Sequence, residues 1–300
     1  MKRYSKLVSV IIPSNTVSAW LRDAVLSVAS QTYENWELLV AWNNLEDQNL
    51  STLEREFASE PRIRFIDFGN GLSLGAVRSE AVKLCRGEYI AMLDSDDTCH
   101  RTRLERQVDF LRLNSGFVAV GSQLRFVDSD GLSKAQKSRY KKVIHRGSVP
   151  LDSPVAQPAV MLRREAYFNA GGYATELAAG DEDYDLWLRL LKFGSFYNLS
   201  ESLTTYRVHS NSLSHSQREG QLRGRLSSLI RFVTGEGLPF STFDDAAKFG
   251  QHLRRLRLEL RLKVLISYLT QTTALGRSNK IEFCLKVIFA PLASRQTGAI

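Results

Sequence analysis

The sequence predicts an α/β fold, a mostly parallel sheet flanked by helices, followed by a C-terminal α-helical extension. Three observations carry this expectation. Apolar, β-branched runs of strand length recur at residues 7–12, 36–42, 63–66 and 89–93. Segments with helical spacing of apolar residues lie between them. Beyond about Ser216 the strand runs stop and leucine-rich helical periodicity takes over. Strands alternating with helices call for a parallel sheet covered on both faces.

Each element has its own signal. Leu7-Val8-Ser9-Val10-Ile11-Ile12 is a β-branched run closed by Pro13-Ser14-Asn15. Leu21, Ala24, Val25, Val28 and Ala29 then share one helical face. Residues 76–84 read as helix between the third and fourth strand runs, and 103–113 as helix after the fourth. After Gly116 come short strand-like pieces at 117–120 and 123–127, and then a polar, basic loop over 129–145. A helix at 182–191 and a strand at 196–206 complete this part. In the tail, Leu222, Leu226, Leu229, Ile230 and Val233 mark one amphipathic helix. Residues 251–269 form a second, with Arg254, Arg255, Arg257, Arg261 and Lys263 among leucines, and 281–292 a third apolar piece broken by Pro291. Such helices suit either a small packed appendage or a basic amphipathic segment lying on a membrane surface.

Composition narrows the class. The 300 residues are 43% hydrophobic and 24% charged, which is ordinary for a globular chain with a substantial core. No stretch approaches the ~20 uninterrupted apolar residues of a membrane span. The charged start at Met1-Lys2-Arg3 leads into an apolar run that stops at Pro13, too short for a secretion signal. Cys85, Cys99 and Cys284 have no paired spacing, so neither a disulfide framework nor a zinc site is expected, and the chain reads as cytoplasmic. Residues 1–215 carry 26 Lys/Arg against 26 Asp/Glu, whereas residues 216–300 carry 14 against 6. The net charge of +8 therefore lies in the tail. A neutral body excludes a dedicated nucleic-acid binder built on a basic face, and the tail is expected to meet something anionic, such as the inner face of a membrane.

The densest chemical signal is the fourth strand run, Tyr89-Ile90-Ala91-Met92-Leu93, which leads straight into Asp94-Ser95-Asp96-Asp97. Carboxylates this close repel one another and raise one another's pKa. A cation relieves that repulsion, and hard oxygen ligands suit Mg²⁺ or Mn²⁺. In α/β sheets ligands bind beyond the carboxyl ends of the strands. An acidic loop leading into the helix at 103–113 is the plainer reading of the same residues.

Four motifs in order carry a resemblance. Val8-Ser9-Val10-Ile11-Ile12-Pro13-Ser14-Asn15 is followed by Leu26-Ser27-Val28-Ala29-Ser30-Gln31-Thr32-Tyr33-Glu34-Asn35-Trp36-Glu37. Gly87-Glu88-Tyr89-Ile90-Ala91-Met92-Leu93-Asp94-Ser95-Asp96-Asp97 is the second motif. Gly171-Gly172-Tyr173 with Asp181-Glu182-Asp183-Tyr184-Asp185-Leu186-Trp187-Leu188-Arg189 is the third, and Tyr206-Arg207-Val208-His209 the fourth. Over roughly residues 7–215 the chain resembles glycosyltransferase family 2, inverting enzymes of the GT-A fold that use nucleotide-sugar donors.

The resemblance implies a catalytic domain over 1–215, with donor binding over about 7–115 and the acceptor side over about 116–215. It implies donor contacts at Pro13, Asn15, Asn43, Arg78, Asp94 and Asp96, and a Mn²⁺ or Mg²⁺ ion held by Asp96, Asp97 and His209. It assigns the general base to Asp183, with Glu182 the neighbouring candidate, and expects a glycan or lipid-linked acceptor. Plainer roles stay open: helix capping for Glu182, solvation for Arg78 and packing for His209. The chain departs from the family at Trp42-Asn43, where two acids are usual and one accepts a hydrogen bond from the base. The amide of Asn43 both accepts and donates, which leaves the base open. A sugar nucleotidyltransferase would need a glycine-rich phosphate loop where Pro13-Ser14-Asn15-Thr16 stands. A non-catalytic scaffold of the same fold is the other alternative, against which the intact acids speak.

Overall fold

The computed structural model describes residues 6–44, 50–137, 140–148, 150, 152–175 and 182–210, together with short helical pieces between 224 and 232. The chain divides into two compact units, Met1–Ser212 and Leu213–Ile300. The expected helices at 251–269 and 281–292 lie outside the described residues, as do Asp181 and the five basic residues from Arg254 to Lys263.

The first unit is built on a ten-stranded sheet. Its opening strands are β1 (Val8–Ser14), β2 (Trp36–Trp42), β3 (Ile63–Asp67) and β4 (Tyr89–Met92), all parallel where they pair. They are joined through α1 (Ala19–Ala29), α2 (Leu50–Glu56) and α3 (Leu74–Lys83). The short β5 (Thr98–Cys99) and α4 (Arg103–Leu113) follow. Then come β6 (Phe117–Val127), β7 (Ser133–Lys137), β8 (Val143–Ile144), a 3₁₀ turn at Gln157–Ala159 and β9 (Met161–Arg163). The unit ends with α5 (Arg164–Asn169), α6 (Glu182–Leu190) and β10 (Ser195–Arg207). Strand order is β3-β2-β1-β4-β9-β6-β10-β5, with β7 beside β6 and β8 beside β10.

The period-2 alternation of each central strand sorts its side chains into two cores. Val8, Val10 and Ile12 of β1, with Leu38 and Val40 of β2, pack on Leu21, Val25 and Val28 of α1 and on Leu104 and Val108 of α4. Ile11, Leu39, Ile90 and Met92 point the other way, onto Val77 and Val82 of α3 and Leu186, Trp187 and Leu190 of α6. Trp187 is a core residue of that second face.

Three features differ from the sequence expectation, the first being that the segment 129–145, expected as a loop, carries the short strands β7 and β8. The pieces at 117–120 and 123–127 are one eleven-residue strand, β6. The three-residue β9 has no strand signal of its own, yet it runs antiparallel between β4 and β6 and joins the two halves of the sheet. Pro13 lies within β1 without breaking the sheet. Pairing of β1 with β4 runs only to Ile11↔Met92, so on that side the missing N–H of Pro13 has no ladder to interrupt.

At the amino ends of the strands, away from the acid run, Glu37 is 1% exposed and ties three segments together. Its Oε1 accepts from Ser9 Oγ at 2.6 Å and from the Arg86 N–H at 2.7 Å, and its Oε2 accepts from Arg86 Nε at 2.8 Å. Burial works to raise the Glu37 pKa, but these donors together outweigh it and hold the carboxyl below its ordinary 4.5. A lowered folded-state pKa contributes stability that is present above 4.5 and is lost as pH falls through the folded value. Glu37→Gln is therefore expected to lower stability by about 1–3 kcal/mol at pH 7. In urea melts at a series of pH values, the mutant and wild-type curves should converge below pH 4.5. A gap that stays constant into acid would show that the charge of Glu37 is not what matters.

Candidate active site

The cleft opens beyond the carboxyl ends of β1, β2 and β4, and the loops there are tied to one another. The Asn43 N–H donates to Ser14 O at 3.0 Å, Asn43 Nδ2 to Leu72 O at 2.9 Å and Asn44 Nδ2 to Asn15 O at 2.9 Å. Pro13 is buried at the end of β1 and Asn15 is exposed just beyond it. The Asn43 amide nitrogen is used inside the protein, while its Oδ1 is buried without a hydrogen-bond partner.

Arg78 organises the opposite side. It projects from the middle of α3 and is 4% exposed. Its Nη2 donates to Asp94 Oδ1 at 3.0 Å and its Nη1 to Glu182 Oε1 at 2.6 Å. Burial works against the guanidinium charge, but Asp94 and Glu182 more than offset it and raise the Arg78 pKa. The close packing of α3 on α6 is what lets Arg78 reach. A Cβ at Gly75 would stand 3.2 Å from Cβ and Cγ of Glu182, so a larger residue would press the helices apart. A solvated Arg78 is excluded by this burial.

Each acid of the turn after β4 has its own partner. Burial and the neighbouring Asp96 push the Asp94 carboxyl up, against the pull of Arg78. Asp96 Oδ2 lies 2.9 Å from His209 Nε2. Asp97 faces inward at 1% exposure, and its Oδ1 accepts from the Arg207 N–H at 2.8 Å. Burial first, then Asp94 and Asp96, raise the Asp97 pKa well above the ordinary carboxylate value. The Arg207 side chain closes the turn from outside, with Nε on Asp96 O at 3.1 Å and Nη1 on Asp128 O and Ser129 O. Behind the turn, the buried Arg103 donates through Nη2 to Met92 O at 2.7 Å and Val160 O at 3.1 Å. Cationic groups and N–H donors of the protein thus oppose burial and mutual repulsion at these acids without cancelling them, since Asp94 and Asp97 stay raised.

A divalent cation is tested against these groups. Among the described residues, no three His, Cys, Asp or Glu side chains converge as a metal cage. Asp96 and His209 do stand side by side at the turn, both part-exposed. One carboxylate with an imidazole suits Mn²⁺ better than the harder Mg²⁺, the remaining ligands being substrate phosphates and water. Asp97 is placed to support the turn from inside, with Oδ2 buried and unpartnered.

On the acceptor side, Gly171 and Gly172 adopt φ of 82° and 68°, a left-handed pair that turns the chain so that Tyr173 reaches Gln157. Gln157 Nε2 donates to the Tyr173 hydroxyl at 2.8 Å. Glu182 and Asp183 are adjacent in the first turn of α6 and differ in environment. Glu182 is 1% exposed and bound to Arg78, whereas Asp183 is part-exposed with its Oδ1 accepting from the Tyr184 N–H at 2.6 Å. The structure brings Arg78, Asp94 and Glu182 together, and separately Asp96, Asp97 and His209. Arg207, which the sequence placed only within the fourth motif, also meets this turn, and Trp20, which carried no sequence signal, packs on Arg207 and His209.

Sheet order, two-faced helical cover and an acid turn beyond the fourth strand define a GT-A protein. Solved structures of low identity share the fold. TarS from S. aureus, solved in complex with UDP-GlcNAc, gives a TM-score of 0.62 at 15% identity over 93% of this chain and 81% of that one. Mannosyltransferase PcManGT from Pyrobaculum calidifontis, solved with GDP-Man and Mn²⁺, gives 0.56 at 13% identity, over 95% and 86%. Residues 9–172 match glycosyl transferase family 2, and the chain belongs to that family. EpsE of Bacillus subtilis (strain 168), assigned as a glycosyltransferase, is 31% identical over 215 residues, 70% of this chain and 76% of EpsE. The O-antigen biosynthesis glycosyltransferase WbnJ of Escherichia coli is 26% identical over 220 residues, 71% and 84%. The chain is a glycosyltransferase, and no helix among its described residues is long and apolar enough to cross a membrane.

Arg78→Met leaves the buried Glu182 and the part-buried Asp94 without their cation. It is expected to lower stability by about 3–5 kcal/mol, read as a fall in the urea midpoint. A loss under about 1 kcal/mol would mean that the bridge is screened by solvent.

Proposed function

We propose that the protein is an inverting glycosyltransferase that moves a sugar from a nucleoside-diphosphate donor to an acceptor hydroxyl in cell-envelope or surface-polysaccharide synthesis. One observation carries the reading: of the two adjacent acids opening α6, Arg78 holds Glu182 inside the protein, while Asp183 stays part-exposed. The name of WbnJ, an O-antigen enzyme, and that of TuaG of Bacillus subtilis, a teichuronic acid enzyme, support the envelope role.

In this reading residues 1–215 form the catalytic domain. The loops bearing Pro13, Asn15 and Asn43 receive the nucleoside. Arg78 and Asp94 fix the turn on which the ribose and diphosphate rest. Asp96 and His209 are the residues that would hold Mn²⁺ or Mg²⁺, which when bound supplies positive charge for the departing diphosphate. Asp183 accepts the acceptor hydroxyl's proton as its oxygen attacks the anomeric carbon. One C–O bond forms as the bond to phosphate breaks. The nucleoside diphosphate leaves with the bonding pair, and a single displacement inverts the centre. Glu182 positions Arg78 and takes no proton.

The tests separate these roles. Nucleoside-diphosphate release is measured over a panel of UDP- and GDP-sugars with Mn²⁺. Asp183→Asn should keep donor affinity within about threefold and lose at least ~100-fold in rate. Asp96→Ala should lose Mn²⁺-dependent turnover, and Glu182→Gln should lower the melting temperature first. Donor affinity falling in step with rate in Asp183→Asn would make Asp183 a binding residue.

In the same reading residues 216–300, which hold the net positive charge, dock the enzyme at the anionic inner face of a membrane near a lipid-linked acceptor. Each basic residue near such a surface contributes about 1 kcal/mol, screened by salt. The full chain should co-sediment with vesicles containing anionic lipid at low salt. Replacing Arg254, Arg255, Arg257, Arg261 and Lys263 by glutamine should release it, and binding that survives the replacement would refute docking through these residues.

A further inference from the structure

Trp20 belongs to none of the motifs that mark the site. It is the second residue of α1, just after the Ser18 cap and before Leu21, the first residue of that helix to enter the core. The other three tryptophans, Trp36, Trp42 and Trp187, are at most 2% exposed, whereas Trp20 lies only part-buried. Its indole meets two residues of one segment. The His209 ring centroid is 4.8 Å away at a 44° tilt, and the Arg207 guanidinium carbon is 5.0 Å from the ring centre. These same residues meet the acid turn, His209 through Asp96 Oδ2 and Arg207 through Asp96 O and Asp97 Oδ1.

The need for such a platform follows from where His209 sits. β10 ends at Arg207, and the Val208 N–H makes one more backbone bond, to Val127 O at 2.9 Å. His209 lies beyond that bond, so the strand ladder does not set the direction of its ring. An aromatic face packed against an imidazole limits the ring's rotation without competing for its nitrogens. The same indole also attracts the Arg207 guanidinium, so both contacts pull on one segment.

We propose that Trp20 is a positioning residue: it holds the His209 imidazole edge on to Asp96 and thereby sets how tightly the acid turn takes a divalent cation. The proposal rests on the reading of Asp96 and His209 as the cation-holding pair. Trp20 touches neither donor nor cation in this role. It acts as an outer support of a ligand, a class of residue whose removal weakens metal binding about 10- to 100-fold.

The test uses the full chain and Mn²⁺ alone, with free Mn²⁺ counted by electron paramagnetic resonance and melting temperature recorded for every variant. Trp20→Ala and His209→Ala should each weaken Mn²⁺ binding by about tenfold, and Trp20→Phe should stay within about threefold of wild type because the aromatic face is kept. The double variant Trp20→Ala/His209→Ala should bind no more weakly than either single one, since both remove the same ligand. Should Trp20→Ala fail to fold, Trp20→Leu, which keeps bulk without an aromatic face, replaces it with the same expectation. Wild-type affinity in Trp20→Ala, or losses that add in the double variant, would overturn the proposal and leave Trp20 as packing for the start of α1. Wild-type affinity in His209→Ala would instead remove the cation reading of His209, and the proposal with it. Because Mn²⁺ binding alone is read, absence of transfer with every sugar donor would count against the proposed function without touching this result.

Discussion

Arg78 brings a full positive charge to a position almost closed to water, and the arrangement of the cleft follows from that. An isolated guanidinium there would be strongly disfavoured, so the fold supplies two carboxylates, one from the end of β4 and one from the start of α6. The pairing locks three elements in one geometry: the middle of α3, the acid turn and the first turn of α6. It also divides the acids. Asp94 and Glu182 are committed to the internal cation, whereas their near neighbours in sequence, Asp96 and Asp183, make no pair with it and stay part-exposed.

The acid turn is therefore shaped before any ligand arrives. Arg78 serves Asp94, the Arg207 N–H serves Asp97, His209 serves Asp96, and Arg103 anchors the carbonyls of Met92 and Val160 behind them. Many small metal-binding loops gain their fold from the ion itself. Here the donors come from α3, α4 and the end of β10, elements far apart in the chain. A cation entering such a turn meets side chains already in place, and little ordering of the chain is left for it to drive.

How much of this was legible in the sequence depends on how far apart the partners lie along the chain. The first four strands and α1, α3, α4 and α6 were readable because their periodicity is local. The acid run was readable because three carboxylates within four residues are informative by themselves. By contrast β9 is three residues long and is a strand only because β4 and β6 flank it, 70 and more residues and some 40 residues earlier in the chain. Glu182 and Asp183 could not be separated by sequence, since adjacent acids in a first helical turn look alike until one is seen to face an arginine 104 residues away. Trp20 gave no signal because an aromatic residue opening an amphipathic helix is commonplace.

The sheet order has a consequence for synthesis. β10 is the last strand made, yet it lies between β6 and β5, and it carries the segment whose Arg207 and His209 cover the acid turn. A ribosome adding roughly 5–20 residues per second releases the carboxyl ends of β1, β2 and β4 well before that cover exists. Until about residue 209 has emerged, Asp96 and Asp97 stand without their partners and Thr98–Cys99 has no strand to pair with. A nascent chain stopped at residue 172, the end of the family match, would also lack Glu182, leaving the Arg78 charge half paired. Part-way through translation the acid turn therefore lacks Arg207 and His209, and Arg78 lacks Glu182, so these contacts form only once the last strand is in place.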